Sequence, residues 1–395
     1  MTDLDFQIFD CDNHFYEATD AFTRHLDPAF AKRAMQWANI DGKTRLLVGG
    51  KICRFIPNPT FDPVSKPGQL DEYFRGRNPR GQGTAELFGE LDPISPAYRD
   101  RDARLALMDE QGMEAALFLP TLGVGMEQAL QPDVAAIVAA FRAFNRWMDE
   151  DWGFAYRGRI FAAPYLTLAD PVAAAAEVEW MIGRDARFVV LVPGPVGTAS
   201  GWRSPADPIF DPVWARINEA GLTVAVHGGD SRYSHYLMEW GEGGATESFR
   251  QSPFRALASA NPTQDTFGHF LATGFFGRFP NLRVAAVETG SDWVFHLHEK
   301  LKKSFGQTPH AYAEDPRETF RRHVWVSPFY EDELAGLRNL LGSRRILMGS
   351  DYPHAEGLAD PASYIKDLKN FDFSDADCKL IMRDNGFELS RRRPV

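Results

Sequence analysis

Short runs rich in Val, Ile and Phe alternate along this chain with longer segments of helical period. Eight runs stand out: 7–12 (QIFDCD), 114–120 (EAALFLP), 159–165 (RIFAAPY), 187–193 (RFVVLVP), 222–228 (LTVAVHG), 282–288 (LRVAAVE), 323–328 (HVWVSP) and 345–351 (RILMGSD). Near-continuous hydrophobicity fits strands covered on both faces, as in a parallel sheet, better than half-exposed antiparallel strands. Between the runs, Val134, Ile137, Val138, Phe141, Phe144 and Met148 recur at spacings of three and four and predict a helix face. Leu105, Met108 and Met113 follow a similar stripe. Further helices are predicted at 171–182, 212–220, 291–303 and 332–341. Asp170-Pro171 and Asp211-Pro212 are start signals, with the acid as N-cap and proline at the first helical position.

Eight buried strands, each followed by a helix, predict an α/β fold of the closed (β/α)8 TIM-barrel type in preference to an open doubly wound sheet. No G-x-G-x-x-G turn follows the first strand, which also counts against a dinucleotide fold. At roughly 150 residues per domain, 395 residues would make two or three domains, but a barrel of about 250 residues is one domain. A single domain over 1–395 is therefore expected, with the surplus in two long connections. One spans 15–95 and contains FIPNPTFDPVSKPG and RGRNPRGQGT; the other spans 229–262 and contains GDSRYSHYLMEWGEGGATES. Both leave the C-terminal ends of strands, one and five, where barrel enzymes carry their chemistry, so both are candidate lid elements.

The polar residues that interrupt the runs collect at one end. Asp10, Asp12 and His14 close strand one, His227 strand five, Glu288 strand six and Asp351 strand eight. A desolvated carboxylate or imidazole is costly unless paired or bound to a cation, and a divalent metal gives these strand ends one common explanation. Asp12 and His14 lie two apart on extended chain, so their side chains share a face and can grip one ion. His227 and Asp351 would enter from across the barrel mouth.

Composition narrows the partners. Lys and Arg number 43 against 54 Asp and Glu, a formal charge of −11, which repels phosphate backbones and anionic lipid and argues against a nucleic-acid or membrane role. Cys11, Cys53 and Cys378 are far apart and suggest neither a disulfide framework nor a thiolate metal site, so a reducing, cytoplasmic setting is expected. The acidic N-terminal segment does not look like a signal peptide, and no apolar stretch approaches the ~18 residues of a membrane span. The terminal SRRRPV reads as a solvated tail.

Six segments together carry a family resemblance: DCDNHFYE at 10–17, LMDEQGMEAALFLPT at 107–121, VHGG at 226–229, FPNLRVAAVETGSDWV at 279–294, GSDYPH at 349–354 and IMRDNGFEL at 381–389. The chain resembles the amidohydrolase superfamily over nearly its whole length, specifically the amidohydrolase-related branch with aminocarboxymuconate-semialdehyde decarboxylase and the aromatic-acid decarboxylases. The resemblance implies metal ligands at Asp12, His14, His227 and Asp351. The family's first ligand position holds His or Glu, and Asp12 in its place makes the site harder; one divalent ion is expected, Zn2+ first, with Mn2+ or Mg2+ as competitors. Family decarboxylases carry a His at the end of strand six, where this chain has Glu288.

Two activities fit such a site: nonoxidative decarboxylation of a small aromatic or unsaturated carboxylic acid, or hydrolysis of an amide, lactone or C–C bond by metal-activated water. Resemblance favours the first. Asp351 is the leading acid/base, with Glu288 and His354 as further catalytic candidates. A catalytically dead barrel kept as a binding module would be marked by lost ligands, and all four positions hold competent ones. Homo-oligomer formation is expected from the family. Asp10 is expected to support the ligand loop, Arg232 and Tyr233 are candidate carboxylate binders, and Phe15, Tyr16, Trp293 and Tyr330 are candidate pocket walls. His269, His296 and His298 read as helix residues.

Overall fold

The computed structural model describes residues 4–242, 252, 254, 257–258, 260–329 and 333–394. Seven of the eight apolar runs form parallel strands: β1 (Ile8–Phe15), β2 (Met113–Pro120), β3 (Ile160–Ala162), β4 (Phe188–Leu191), β5 (Thr223–His227), β6 (Arg283–Val287) and β7 (Val324–Val326). Every residue of β5 and β6 is buried, which is why these runs tolerate so little polarity. The strands make two sheets, in the orders β1-β2-β3 and β7-β6-β5-β4, rather than the one closed sheet expected.

The two sheets meet through single bridges. Tyr165 pairs with Val190 beside β4, with Leu166 N donating to Val190 O at 2.8 Å. On the other side the eighth run is extended chain without a regular ladder. Its Ile346 bridges Val326, and its Met348 O accepts from Cys11 N at 2.9 Å. The Asp10 carboxylate explains the broken ladder. It accepts from Ser350 N at 2.9 Å, from Ser350 Oγ and from Asn13 Nδ2 at 2.8 Å, so a side chain supplies bonds that a strand would have drawn from backbone. Asp10 thus supports the ligand loop, as expected.

The helix predicted around Phe141 runs Val134–Asp151, with Asp133 as its cap and Ile137, Phe141, Phe144 and Met148 buried. Asp170 caps Pro171–Gly183 as predicted. Asp211 does not cap its helix, because a preceding turn, Pro208–Phe210, takes Asp207 as its cap and leaves Asp211 as the first helical residue. Met113 belongs to β2, not to the stripe of Leu105 and Met108: the helix Arg101–Glu110 stops before Gly112, whose φ of 67° is left-handed. The expected solvated tail is docked, with Arg392 donating to Ile182 O at 2.7 Å and Ala186 O at 2.9 Å, at and just past the C-terminal end of the helix Pro171–Gly183.

The 15–95 connection has structure of its own. Met35–Ile40, Lys43–Val48 and Lys51–Ile52 form an antiparallel sheet, turned by Asp41-Gly42 and Gly49-Gly50, all at positive φ. Farther on, Leu70 N donates to Ala355 O at 2.7 Å and Gly68 N to His354 O at 3.2 Å, which ties the connection to the turn after the eighth run. Among the described residues, no helix is long and apolar enough to cross a membrane.

Candidate metal centre

The ends of β1, β5, β6 and the eighth run deliver five acidic and imidazole side chains to one place. The β1 ladder is irregular between Asp10 and Asn13, a bulge of the kind that re-aims side chains at strand ends. Asp12 Oδ1 lies 3.2 Å from His14 Nε2 and 3.6 Å from His227 Nε2. His14 Nε2 lies 3.3 Å from Asp351 Oδ1 and 3.4 Å from Glu288 Oε2, which is itself 2.8 Å from His227 Nε2. Candidate ligand atoms of Asp12, His14, His227 and Glu288 all lie within 4.8 Å of one another, as do those of His14, Glu288, Asp351 and His354. The four positions implied by resemblance are therefore divided between two overlapping groups, joined by His14 and Glu288.

The backbone is specialised here. Glu288 and Asp351 have φ of 50° and 55°, a left-handed conformation that non-glycine residues hold only where the surroundings impose it. A Cβ at Gly349 would come within 2.5 Å of Asp12 Cβ and Ser327 Oγ, so only glycine lets the eighth run approach β1 this closely.

The donor set fits a divalent cation. Asp351 Oδ2 is buried and makes no hydrogen bond, and His227 Nε2 and Glu288 Oε2 face only other members of the cluster. His227 Nδ1 lies 2.6 Å from Gly228 O. A carbonyl only accepts, so Nδ1 carries the proton and the Nε2 lone pair of neutral His227 faces the cluster. Each buried polar atom left unbonded costs about 1–3 kcal/mol, and a shared cation would offset several such costs together.

Without an ion, the same groups polarise one another. Burial lowers the His227 pKa, but the charges of Glu288 and Asp12 and hydrogen bonding to both together outweigh it and push the value up to about 10. Glu288 is held well below the usual carboxylate range despite burial, chiefly by the His227 charge. Burial and the charges of Glu288 and Glu356 push Asp351 well above that range, and burial with the charge of His14 pushes His354 well down. The hydrogen bonds agree with these directions. Thr121 Oγ1 donates to Phe15 O at 2.8 Å, so it accepts from His354 Nε2 at 2.9 Å. Neutral His354 then presents a bare Nδ1, which accepts a hydrogen bond from the protonated Asp351 carboxyl across 2.6 Å.

Sequence reasoning missed Thr121, Arg104 and Glu17. Arg104 is fully buried, donates to His14 O, and lies over the rings of Phe118, Tyr352 and Tyr98 at 5.1–5.6 Å. An arginine beside Leu105 and Met108, on the buried face of Arg101–Glu110, was its available signal. Glu17 Oε1 accepts from Leu122 N at 2.9 Å and Gly123 N at 3.0 Å, fixing the loop that bears Thr121.

The cluster forms the polar part of a cavity of about 770 Å3, to which His14, His227, Glu288 and His354 all contribute. Tyr16 lines it as expected, stacked on Phe61 at 4.6 Å. Phe15 and Trp293 do not. Phe15 is buried against Trp147 and Trp152, and Trp293 against Phe267, because both rings point into the core. Tyr330 lies outside the described residues. Arg232 stacks on Trp202 at 4.8 Å, away from this cavity, while Tyr233 lines it with its hydroxyl donated to Asp265 at 2.7 Å. His269 sits in Pro262–Ala272 and meets Ser204 Oγ; His296 and His298 sit in Asp292–Gln307.

The sequence model of the amidohydrolase family matches residues 9–389. The 2-amino-3-carboxymuconate-6-semialdehyde decarboxylase of Dictyostelium discoideum is 26% identical over 204 residues, 49% of this chain and 52% of that protein. The match thus spans about half the length of this curated relative. A solved amidohydrolase from Mycobacterium avium subsp. paratuberculosis matches 98% of this chain and 100% of its own, with a TM-score of 0.92 and 43% identity. The 5-carboxyvanillate decarboxylase of Novosphingobium aromaticivorans, solved with manganese and 4-hydroxy-3-methoxy-5-nitrobenzoic acid, matches 99% of this chain and 97% of its own, with a TM-score of 0.58 and 14% identity. At that identity the likeness shows the fold alone, a TIM barrel. The chain belongs to the amidohydrolase family and is a metal-dependent enzyme.

Proposed function

We propose that this protein is a divalent-metal-dependent, nonoxidative decarboxylase of an aromatic or unsaturated carboxylic acid. One observation carries the reading: two histidines and three carboxylates, all but Glu288 buried, converge beside a largely apolar cavity. Asp12, His14, His227 and Asp351 hold the ion in this reading, with Glu288 in reach of the same position. The ion supplies positive charge for the substrate's carboxylate or an adjacent hydroxyl. Glu288 adds an oxygen donor to a set already containing Asp12 and Asp351, which raises Mn2+ beside Zn2+ as the resident ion.

The chain's own residues handle the proton. When the bond to the carboxyl group breaks, CO2 leaves, the electron pair stays on carbon, and that carbon must gain one proton. Asp351, whose Oδ1 lies 2.6 Å from His354 Nδ1, is the acid in this reading. Glu288 is the carboxylate of the cluster most open to the cavity, since its side chain is 25% exposed while that of Asp351 is 0% exposed. The 15–95 connection and the described part of 229–262 both line the cavity, which supports reading them as lid elements. The three cysteines are free, which supports a cytoplasmic setting, and we place the enzyme there as a homo-oligomer.

The hydrolase reading uses the same residues and has one observation in its favour: the relative at 43% identity is described as an amidohydrolase. Metal-loaded enzyme offered carboxylates, lactones and amides in D2O separates the two. Release of CO2 with one deuterium at the vacated carbon is expected. Acid release from a lactone or amide, with no CO2 from any carboxylate, would overturn the decarboxylase reading.

A further inference from the structure

The cavity is large for a single-ring acid. At about 770 Å3 it lies in the upper part of the roughly 300–1,000 Å3 range that encloses drug-sized ligands. Its walls beyond the polar cluster include Phe55, Phe61, Val64, Phe88, Leu237 and Phe329. The Phe61 ring is held in place at a backbone φ of 55°, against the steric preference of a bulky residue. A one-ring ligand anchored at the cluster would leave much of this apolar surface wet, at the cost that burial would otherwise remove.

Two further observations point the same way. Phe74 and Leu91, both lining the cavity, are 44% and 46% exposed, so the apolar surface continues outward to the rim. Among the described lining residues, Asp230, Glu288 and Glu356 are acidic and none is Lys or Arg. A second anionic group on the substrate, away from the metal centre, would therefore lie beside Asp230 and Glu356, at a cost that burial magnifies.

We infer that the substrate has a single anionic head for the metal centre and a large, uncharged, apolar body, either fused rings or a ring with a long alkyl or aryl arm, that fills the cavity out to Phe74 and Leu91. This rests on the decarboxylase reading only for the identity of the head group. It replaces the small acid expected from sequence with a bulkier class.

Equilibrium binding to the Mn2+-loaded full-length protein, by titration calorimetry, tests it without turnover. The probes are 2-hydroxybenzoate, 3-hydroxy-2-naphthoate, 4-hexyl-2-hydroxybenzoate and the dianion 4-hydroxyisophthalate. Affinity is expected to rise about tenfold or more from the single ring to the hexyl compound, with the naphthoate between them and the dianion weakest. Because Phe74 and Leu91 are exposed, a Phe74→Ser, Leu91→Ser variant should fold normally, bind the hexyl compound several-fold more weakly, and leave 2-hydroxybenzoate unchanged. Equal affinity for one-ring and extended monoanions, tightest binding of the dianion, or equal weakening of all probes by the rim variant would overturn the inference. Tighter binding of the extended acids with no CO2 released from any of them would sink the decarboxylase reading and leave this one standing.

Discussion

Glu288 Oε2 stands 2.8 Å from His227 Nε2, on a residue whose backbone is held at a left-handed φ of 50°. The strand-six carboxylate is thus set facing the strand-five histidine, close enough to share an ion with it and open enough to the cavity to meet substrate.

Glu288→Gln keeps the side-chain shape and removes its charge. If Glu288 serves the substrate rather than anchoring the ion, kcat should fall about 100-fold or more, in the range of a lost acid/base group, with the bound metal retained. Both readouts come from one preparation, by steady-state kinetics and elemental analysis. Loss of the metal along with activity would make Glu288 a ligand instead.

Asp351→Asn is unusually clean, because asparagine is among the few residues that accept the left-handed conformation present there, φ 55°. Turnover should drop by about 1,000-fold or more while the unfolding midpoint stays close to the parent's. Near-normal turnover would remove Asp351 from its role as the acid.

Thr121→Val tests the proton arrangement at its outer end. The hydroxyl bridges Phe15 O and His354 Nε2, so its loss leaves the imidazole free to adopt the other tautomer. About a tenfold drop in kcat with a displaced pH profile is expected, at a stability loss of about 1–2 kcal/mol for the unpaired buried groups. A stability change with an unaltered pH profile would reduce Thr121 to a structural residue.

Much of this was legible in the sequence because buried parallel strands must be apolar along their length, so the runs holding β1 to β7 announce themselves and the polar residues ending them stand out. Asp12, His14, His227, Glu288 and Asp351 were all found in this way, and the structure brings them together. Two kinds of feature were not legible. The eighth run looked like a strand, yet the Asp10 carboxylate takes hydrogen bonds from Ser350 that a ladder would use, an event set by residues 340 positions apart. Thr121 and Arg104 act through contacts with distant backbone carbonyls, which leave no period or spacing to read. The sheet at 35–52 carries a signal of its own, the turn pairs Asp41-Gly42 and Gly49-Gly50, but its strands are short and mostly part-buried or exposed, beside Pro- and Gly-rich stretches, so no long apolar run marks them.

Glu17 gives a stability prediction. Burial pushes its pKa from 4.5 up to about 7, in spite of the N–H groups of Leu122 and Gly123. The native chain therefore keeps a proton that the unfolded chain releases as pH rises from 4.5 to about 7. This contribution to stability is present in full below the lower value and gone above the upper one, a loss of roughly 3 kcal/mol. Urea unfolding of the parent and Glu17→Gln from pH 5 to pH 8 checks it: the parent should lose stability relative to the variant as pH rises. Parallel curves would contradict the assignment.

The metal centre itself is tested most directly by counting metal ions per chain, by elemental analysis, in the parent protein and in His227→Ala after purification without added metal. The account predicts about one Zn2+ or Mn2+ per chain in the parent and little or none in the variant, since His227 presents its bare nitrogen to the cluster. A parent chain that binds no divalent ion even when Zn2+ and Mn2+ are supplied, or a variant that keeps the parent's full complement, would contradict it.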